Sequence, residues 1–260
     1  MKMLVALPLN ERQKEKLEQN FRHQEFVYCL PEELTKETIS DVEVILGNVP
    51  QELLAYAGKL KWLQLNNAGT EGYCYVALPE EVLLTNATGA YGLAISEHMI
   101  GMLFELQKKL NLYAANQRAH IWKEEGNVRL IEGSRVLVIG LGDIGTAFAR
   151  KMKGLGCRTV GIKRREARKP EGVDDLFTLE RLEQQLPKAD IVALCLPGYE
   201  GTYHMLNEER IAMLKENAVV LNVGRGMTVD TEALTKALRE GRSAGACLDV
   251  TDPEPLPSDH

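Results

Sequence analysis

The sequence predicts an α/β protein made of two doubly wound parallel-sheet domains, residues 1–90 and 91–260. Three observations carry this expectation. Short apolar runs alternate with amphipathic stretches along all 260 residues, the rhythm of strands joined by crossover helices. The runs of the second half are almost continuously apolar, as strands covered on both faces must be. A glycine-rich turn then joins the first of those runs to an amphipathic segment, between Gly140 and Gly145.

Taken in order, the first half offers "MLVAL", "EFVYC", "VEVILG", "WLQL" and "VLLTNA" as strands, with "NERQKEKLEQNF" and "QELLAYAGKL" as amphipathic connections. After Gly89, "AYGLAISEHMIGMLFELQKKLNLYAANQRAH" has no proline and carries apolar positions at helical spacing. One long helix is expected through much of it, connecting the domains. The second half offers "RVLVIG", "RTVGI", "DIVALCLP", "AVVLNVG" and "GACLDV", separated by segments such as "IGTAFARKMKGLG" and "TEALTKALREG". Five strands are read there, one fewer than the six of the usual doubly wound sheet. A sheet of five would leave a raw edge, which is consistent with an incomplete C-terminal end.

Composition narrows the function. A formal net charge of −6 argues against a general nucleic-acid binder or an anionic-membrane binder. Cys29, Cys74, Cys157, Cys195 and Cys247 are scattered, odd in number and without CxxC or Cys/His spacing, so neither a disulfide frame nor a metal site is expected. The opening "MKMLVALPLNER" is too short an apolar run for a signal peptide or membrane span. A cytoplasmic location fits these features.

The sharpest motif is "VLVIGLGDIGTAFARKMKGLG", with Gly140, Gly142 and Gly145 in GxGxxG register between a strand and a helix. Gly140 permits the tight turn, Gly142 lets the backbone approach a pyrophosphate, and Gly145 lets the helix pack closely on the sheet. This context favours a Rossmann dinucleotide-binding domain over a ligand-free glycine turn or an adenosyl-methionine site. After the next strand, where a carboxylate would bind the ribose of NAD, stand Lys163, Arg164 and Arg165. Positive charge there suits a 2′-phosphate, so NADP is favoured and NAD remains possible; a solvated basic loop is the plainer alternative. Further on, "VVLNVGRGMTVD" sets Arg225 between glycines at a strand end, where a guanidinium could clamp a carboxylate through two hydrogen bonds. "LDVTDPEPLP" then supplies Asp249 and, in a proline-rich turn, Glu254.

The order GLGDIG, LPG, NVGRG and LDVTDPEPLP, with the "NNAGTEGY" loop and the "SEHM" segment, resembles the D-isomer-specific 2-hydroxyacid dehydrogenase family, in its NADP-preferring branch. The resemblance spans essentially the whole chain and implies a flavodoxin-like substrate domain ahead of the Rossmann domain. It implies an oxidoreductase moving a hydride between NADP(H) and a small 2-oxo or 2-hydroxy acid of D configuration. Arg225 would hold the substrate carboxylate and carbonyl, and Glu254 would tune a histidine that shuttles the proton. Backbone amides at Ala68 and Gly69 would hold the substrate carboxylate and Asp249 the nicotinamide amide. Pro197 would flank the adenine, with Asp143, Ile144, Thr202 and Val223 among the cofactor contacts. Tyr199 departs from the threonine often found after LPG.

In the resemblance the acid histidine lies one strand beyond the EPLP turn. His260 follows that turn at once and matches a non-catalytic position; His98 stands at the start of a long helix, where a packed or connector residue is expected, and His23, His120 and His204 fall in helix-end or loop contexts. The catalytic histidine is therefore expected to be absent from these 260 residues, which should bind cofactor better than they turn over. Tyr91 and Trp122 could wall the substrate pocket, though aromatics so placed are more often packing or subunit contacts, and the resemblance implies a homodimer through the connector region. A second class of function remains open on the same fold, a non-catalytic nucleotide sensor or corepressor-like protein. Retention of both Arg225 and Glu254 favours the enzyme.

Overall fold

The apolar runs of the first half form five strands: β1 (Lys2–Val5), β2 (Glu25–Tyr28), β3 (Val44–Leu46), β4 (Trp62–Gln64) and β5 (Leu83–Thr85). The computed structural model describes residues 1–70, 72–76, 78–243 and 245–260, and the chain divides into two compact units, Met1–Ala90 and Tyr91–His260. In the first unit the strands pair in parallel in the order β2-β1-β3-β4-β5. Helix α1 (Glu11–Asn20) begins where it does because Asn10 and Gln13 cap each other: Gln13 N donates to Asn10 Oδ1 at 3.0 Å and Asn10 N to Gln13 Oε1 at 2.9 Å. A short helix α2 (Lys36–Ile39) buries Ile39 against Leu4, Ile45, Leu63 and Leu65. The loop carrying Ala68 and Gly69 follows β4, at the C-terminal edge of this sheet.

In the second unit the sheet has six parallel strands, β6 (Arg135–Ile139), β7 (Arg158–Lys163), β8 (Asp175–Thr178), β9 (Ile191–Leu194), β10 (Val219–Asn222) and β11 (Gly245–Leu248), in the order β11-β10-β9-β6-β7-β8. The pleat divides their side chains between two cores. Val136 and Val138 pack with Met99 and Leu103 of α3 (Gly92–Gln107) and with Phe148 and Met152 of α5 (Asp143–Gly154). Leu137 and Ile139 face the opposite layer, with Leu182 of α6 (Leu182–Gln185), Ile211 of α7 (Glu208–Ala212) and Leu234 of α8 (Thr231–Arg239). Burial on both faces is why these strands read as unbroken apolar runs.

Two expectations are corrected. The single long connector helix is two helices, α3 and α4 (Leu110–Arg118), because Lys109 adopts φ 56° and ψ 33°. No glycine or proline announces this break; remote partners hold it. The Lys108 ammonium donates to Arg129 O at 2.5 Å and that of Lys109 to Glu125 O. The expected five-stranded sheet has a sixth strand, β8, so the strand count gives no support to an incomplete sheet. The "DLFT" of β8 is only four residues long and none is fully buried, so its sequence lacks the apolar run of its neighbours.

Asp174 fixes the entry to β8. Its carboxylate accepts from Lys153 Nζ at 2.8 Å and from the backbone N–H of Thr159 at 2.9 Å, while Asp174 N donates to Thr159 O. The Lys153 hydrogen bond, then that of Thr159, holds the carboxyl down at about 2, below its ordinary 3.8. A folded pKa below the unfolded one contributes stability above the unfolded value, and that contribution is lost as pH falls through the folded value. Denaturant unfolding of Asp174→Asn should therefore show about 1–2 kcal/mol less stability at neutral pH and a shallower loss than the parent between pH 4 and pH 2. Equal acid sensitivity of the two proteins would contradict this assignment.

Candidate active site

The residues singled out in the second unit fall at the C-terminal edge of its sheet, the edge where open α/β sheets bind ligands. Gly140 follows β6 with φ +96°, and a β-carbon there would lie 2.6 Å from Cys195 O after β9. In α5, a β-carbon on Gly145 would meet Gly140 O at 2.0 Å, so only glycine allows the helix to sit this close to the strand end. Gly142 is the N-cap of α5 and makes no side-chain cap; a β-carbon there would meet nothing within 4 Å. Thr146 N is the first to bond back, to Gly142 O at 3.0 Å. The amides of the first turn, including those of Asp143 and Ile144, thus adjoin open space with the positive end of the helix dipole behind them. Those features fit a dinucleotide pyrophosphate. The Asp143 side chain does a different job: it accepts from Gly92 N at 2.8 Å and so caps α3.

Arg225 follows β10 in extended conformation, φ −144° and ψ 144°. Its carbonyl is gripped by two buried side chains, Asn222 Nδ2 at 2.9 Å and Thr228 Oγ1 at 2.7 Å, and its Nη1 donates to Gly224 O at 2.7 Å. Asn222 Oδ1 in turn accepts from Gly224 N at 3.1 Å. The turn is seated on its neighbours by glycine contacts. A β-carbon at Gly224 would lie 2.4 Å from Leu196 O, and one at Gly226 would lie 1.9 Å from Thr251 O. Asn222 and Thr228 were missed in the sequence; the trace they leave is a polar residue ending an apolar strand and a threonine three residues past the arginine.

Asp249 follows β11, its backbone N–H donating to Asn222 O at 3.0 Å, and its carboxylate lies 3.3 Å from His98 Nε2 of α3. Glu254 is exposed, its Oε2 accepting from Thr251 N at 3.4 Å. No histidine is bonded to it among the described residues: His260 Nε2 is 3.4 Å from Thr235 Oγ1 on α8, His204 stacks on Tyr203 and faces Asp230, and His23 and His120 are exposed.

Lys163 ends β7, and Arg164 and Arg165 follow it on the exposed surface. None of the three makes an ion pair among the described residues. Pro197 is exposed beyond β9, whereas Thr202 is buried and its hydroxyl is committed within the loop, donating to Pro197 O at 2.8 Å and accepting from Tyr199 N at 3.0 Å. Thr202 shapes the LPG loop. Val223 is buried under the Arg225 turn. Burial pushes the Cys195 thiol up to about 12 and those of Cys157 and Cys247 to about 11, so none offers a thiolate at neutral pH. In the first unit, Ala68 and Gly69 sit on the loop after β4, where Asn86 Nδ2 donates to Ala68 O at 2.8 Å. The N–H groups of Ala68 and Gly69 make no hydrogen bond among the described residues, leaving two successive donors for an anion. No cluster of three or more potential metal ligands, and no helix long and apolar enough to cross a membrane, occurs among the described residues.

Residues 100–260 match the family model of the D-isomer specific 2-hydroxyacid dehydrogenase, NAD binding domain. A glyoxylate reductase of Thermococcus gammatolerans is 32% identical over 243 residues, covering 87% of this chain and 71% of that protein. The crystal structure of a D-isomer specific 2-hydroxyacid dehydrogenase family protein from Aeromonas salmonicida superposes with a TM-score of 0.88 at 28% identity, covering 100% of this chain and 84% of that one. A family member from Xanthobacter autotrophicus, solved with NADPH and MES, gives a TM-score of 0.82 at 27% identity, covering 100% and 83% of the two chains. The chain belongs to the D-isomer specific 2-hydroxyacid dehydrogenase family. It is an oxidoreductase of the hydroxyacid dehydrogenase class with a Rossmann domain for a nicotinamide dinucleotide.

The Gly226 contact gives a direct test of how the Arg225 turn is held. Gly226→Ala should lower the stability of the second unit by about 1–3 kcal/mol in thermal or urea unfolding, because backbone must move to admit the methyl group. Parent-like stability would show that the turn is not pressed against Thr251.

Proposed function

We propose that the protein reduces a small 2-oxo acid to the D-2-hydroxy acid with NADPH as its preferred cofactor. The observation that carries this reading is the basic run Lys163, Arg164 and Arg165 at the end of β7, without ion pairs among the described residues. In Rossmann domains the end of the second strand faces the adenosine ribose, and a 2′-phosphate there needs cationic partners. The NADPH in the Xanthobacter autotrophicus relative and the glyoxylate reductases among the curated relatives support the same reading. Glyoxylate and hydroxypyruvate are the first substrates to try.

When bound, the cofactor supplies the hydride that reduces the 2-carbon. The first-turn amides of α5, among them those of Asp143 and Ile144, hold the pyrophosphate, Pro197 flanks the adenine, and Asp249 accepts from the nicotinamide amide. Arg225 binds the acid through its guanidinium and stabilises the negative charge growing on the 2-oxygen. The Asn222 and Thr228 grip on its carbonyl keeps that guanidinium in one place. Ala68 and Gly69 direct their N–H groups to the substrate carboxylate. Glu254 would pair with the histidine that donates the proton to the 2-oxygen, a role that none of His23, His98, His120, His204 and His260 fills at Glu254 among the described residues. We further infer a cytoplasmic homodimer in which the segment after α4 meets a second copy. Trp122 there is fully exposed, with Ile121 and Leu130 also open to solvent, large apolar side chains that a second copy would cover.

Cofactor titrations test the basic run: Arg164→Gln should weaken NADPH binding by about tenfold and leave NADH binding within about twofold, the loss of one charge-assisted contact. Equal losses for both cofactors would remove the basis for NADP preference. Steady-state kinetics test the clamp: in a chain that also carries the proton-donating histidine, Arg225→Ala should cut NADPH oxidation with glyoxylate by about 10²–10³-fold while NADPH binding is kept. Unchanged turnover would take Arg225 out of the reaction.

A further inference from the structure

Asp249 and His98 form a pair that the sequence gives no sign of, 151 positions apart in the chain. His98 Nε2 lies 3.3 Å from Asp249 Oδ1, and both side chains are about half exposed. The two side chains are within ion-pair distance, and since an ionised carboxylate can only accept, a proton shared between them would sit on Nε2. Both partners are fixed from behind. On the helix side, Ser96 and Met99 flank His98 in full burial, Glu97 pairs with Lys151 of α5 at 3.2 Å, and Asp143 caps the first turn of α3. On the strand side, Asp249 N is bonded to Asn222 O, and Cys247 Sγ donates to Met102 O of α3 at 3.5 Å. A half-exposed aspartate standing alone would rotate freely. Oδ1 faces the His98 imidazole at ion-pair distance, and Oδ2 makes no hydrogen bond among the described residues.

We propose that His98 is a positioning residue that orients Asp249 so that Oδ2 accepts from the carboxamide N–H of the nicotinamide. It rests on the reading of Asp249 given above. The pair then acts as the part of the site that tells a dinucleotide with a carboxamide ring from one without. Its contribution belongs to binding and placement of the ring and not to the 2′-phosphate or pyrophosphate, which other residues hold.

The experiment is a set of binding titrations with two probes, NADPH and 2′-phospho-ADP-ribose, which lacks the nicotinamide. For His98→Ala we expect NADPH affinity to fall by about tenfold, the worth of one hydrogen bond to a charged group, with 2′-phospho-ADP-ribose binding unchanged. His98→Gln, whose amide nitrogen can replace Nε2–H, should recover NADPH affinity to within about threefold of the parent. Parent-like NADPH binding by His98→Ala, or equal losses for both probes, would overturn the proposal; the second result would mark His98 as merely structural. Asp249→Ala separates the two levels: if it too leaves NADPH binding unchanged, the reading of Asp249 has failed, and if it alone weakens NADPH, only the role of His98 falls.

Discussion

The site depends on the absence of three β-carbons. Gly140, Gly224 and Gly226 let the ends of β6, β9, β10 and β11 touch through their backbones, Gly140 against Cys195, Gly224 against Leu196 and Gly226 against Thr251. These four strands are neighbours in the sheet, so the contacts form a continuous relay along its C-terminal edge. A side chain at any of the three would displace backbone and not a flexible neighbour, and close-packed interiors tolerate that poorly. The relay brings the turns carrying Pro197, Arg225 and Asp249 to one edge and gives each a fixed backbone.

Side-chain hydrogen bonds then turn fixed backbone into fixed chemistry. Asn222 and Thr228, both buried, saturate the carbonyl of Arg225; losing either donor would leave a buried acceptor short of a partner. Thr202 does the same for the LPG loop through Pro197 O and Tyr199 N. Asp143 ties α3 to α5 through Gly92. In each case a polar group with an apparent ligand-binding look spends its hydrogen bonds on the scaffold, and the groups left facing solvent at the edge are backbone amides, the basic run after β7, and the carboxylates of Asp249 and Glu254.

Much of this was legible in the sequence because strands covered on both faces are apolar throughout and because close backbone approach demands glycine. The glycine turn at 140–145, the Arg225 turn and the two-sheet α/β class all follow from those rules. What escaped was set by contacts remote in sequence. The edge strand β8 is short and half-buried, and its entry is fixed by Lys153 and Thr159 acting on Asp174. The break at Lys109 is held by carbonyls of Glu125 and Arg129. His98 reads as one polar residue on a long helix, and only the packing of α3 beside β11 brings it to Asp249. The hydroxyl of Thr202, read as a cofactor contact, also bonds Pro197 O and Tyr199 N, partners that the sequence does not announce.

The open first-turn amides, the basic strand end and the clamped arginine together support the reading proposed above, in which a phosphorylated nicotinamide dinucleotide and a small 2-oxo acid would exchange a hydride. The most direct measurement is to incubate the protein, in a chain that also carries the proton-donating histidine, with NADPH carrying deuterium at the transferable position of C4 and with hydroxypyruvate, and to determine the label and configuration at C2 of the product. Deuterium at C2 of a D-2-hydroxy acid is the predicted result. Recovery of NADPH and hydroxypyruvate unchanged, with the cofactor bound, would contradict the account and leave a nucleotide-binding protein in place of a reductase.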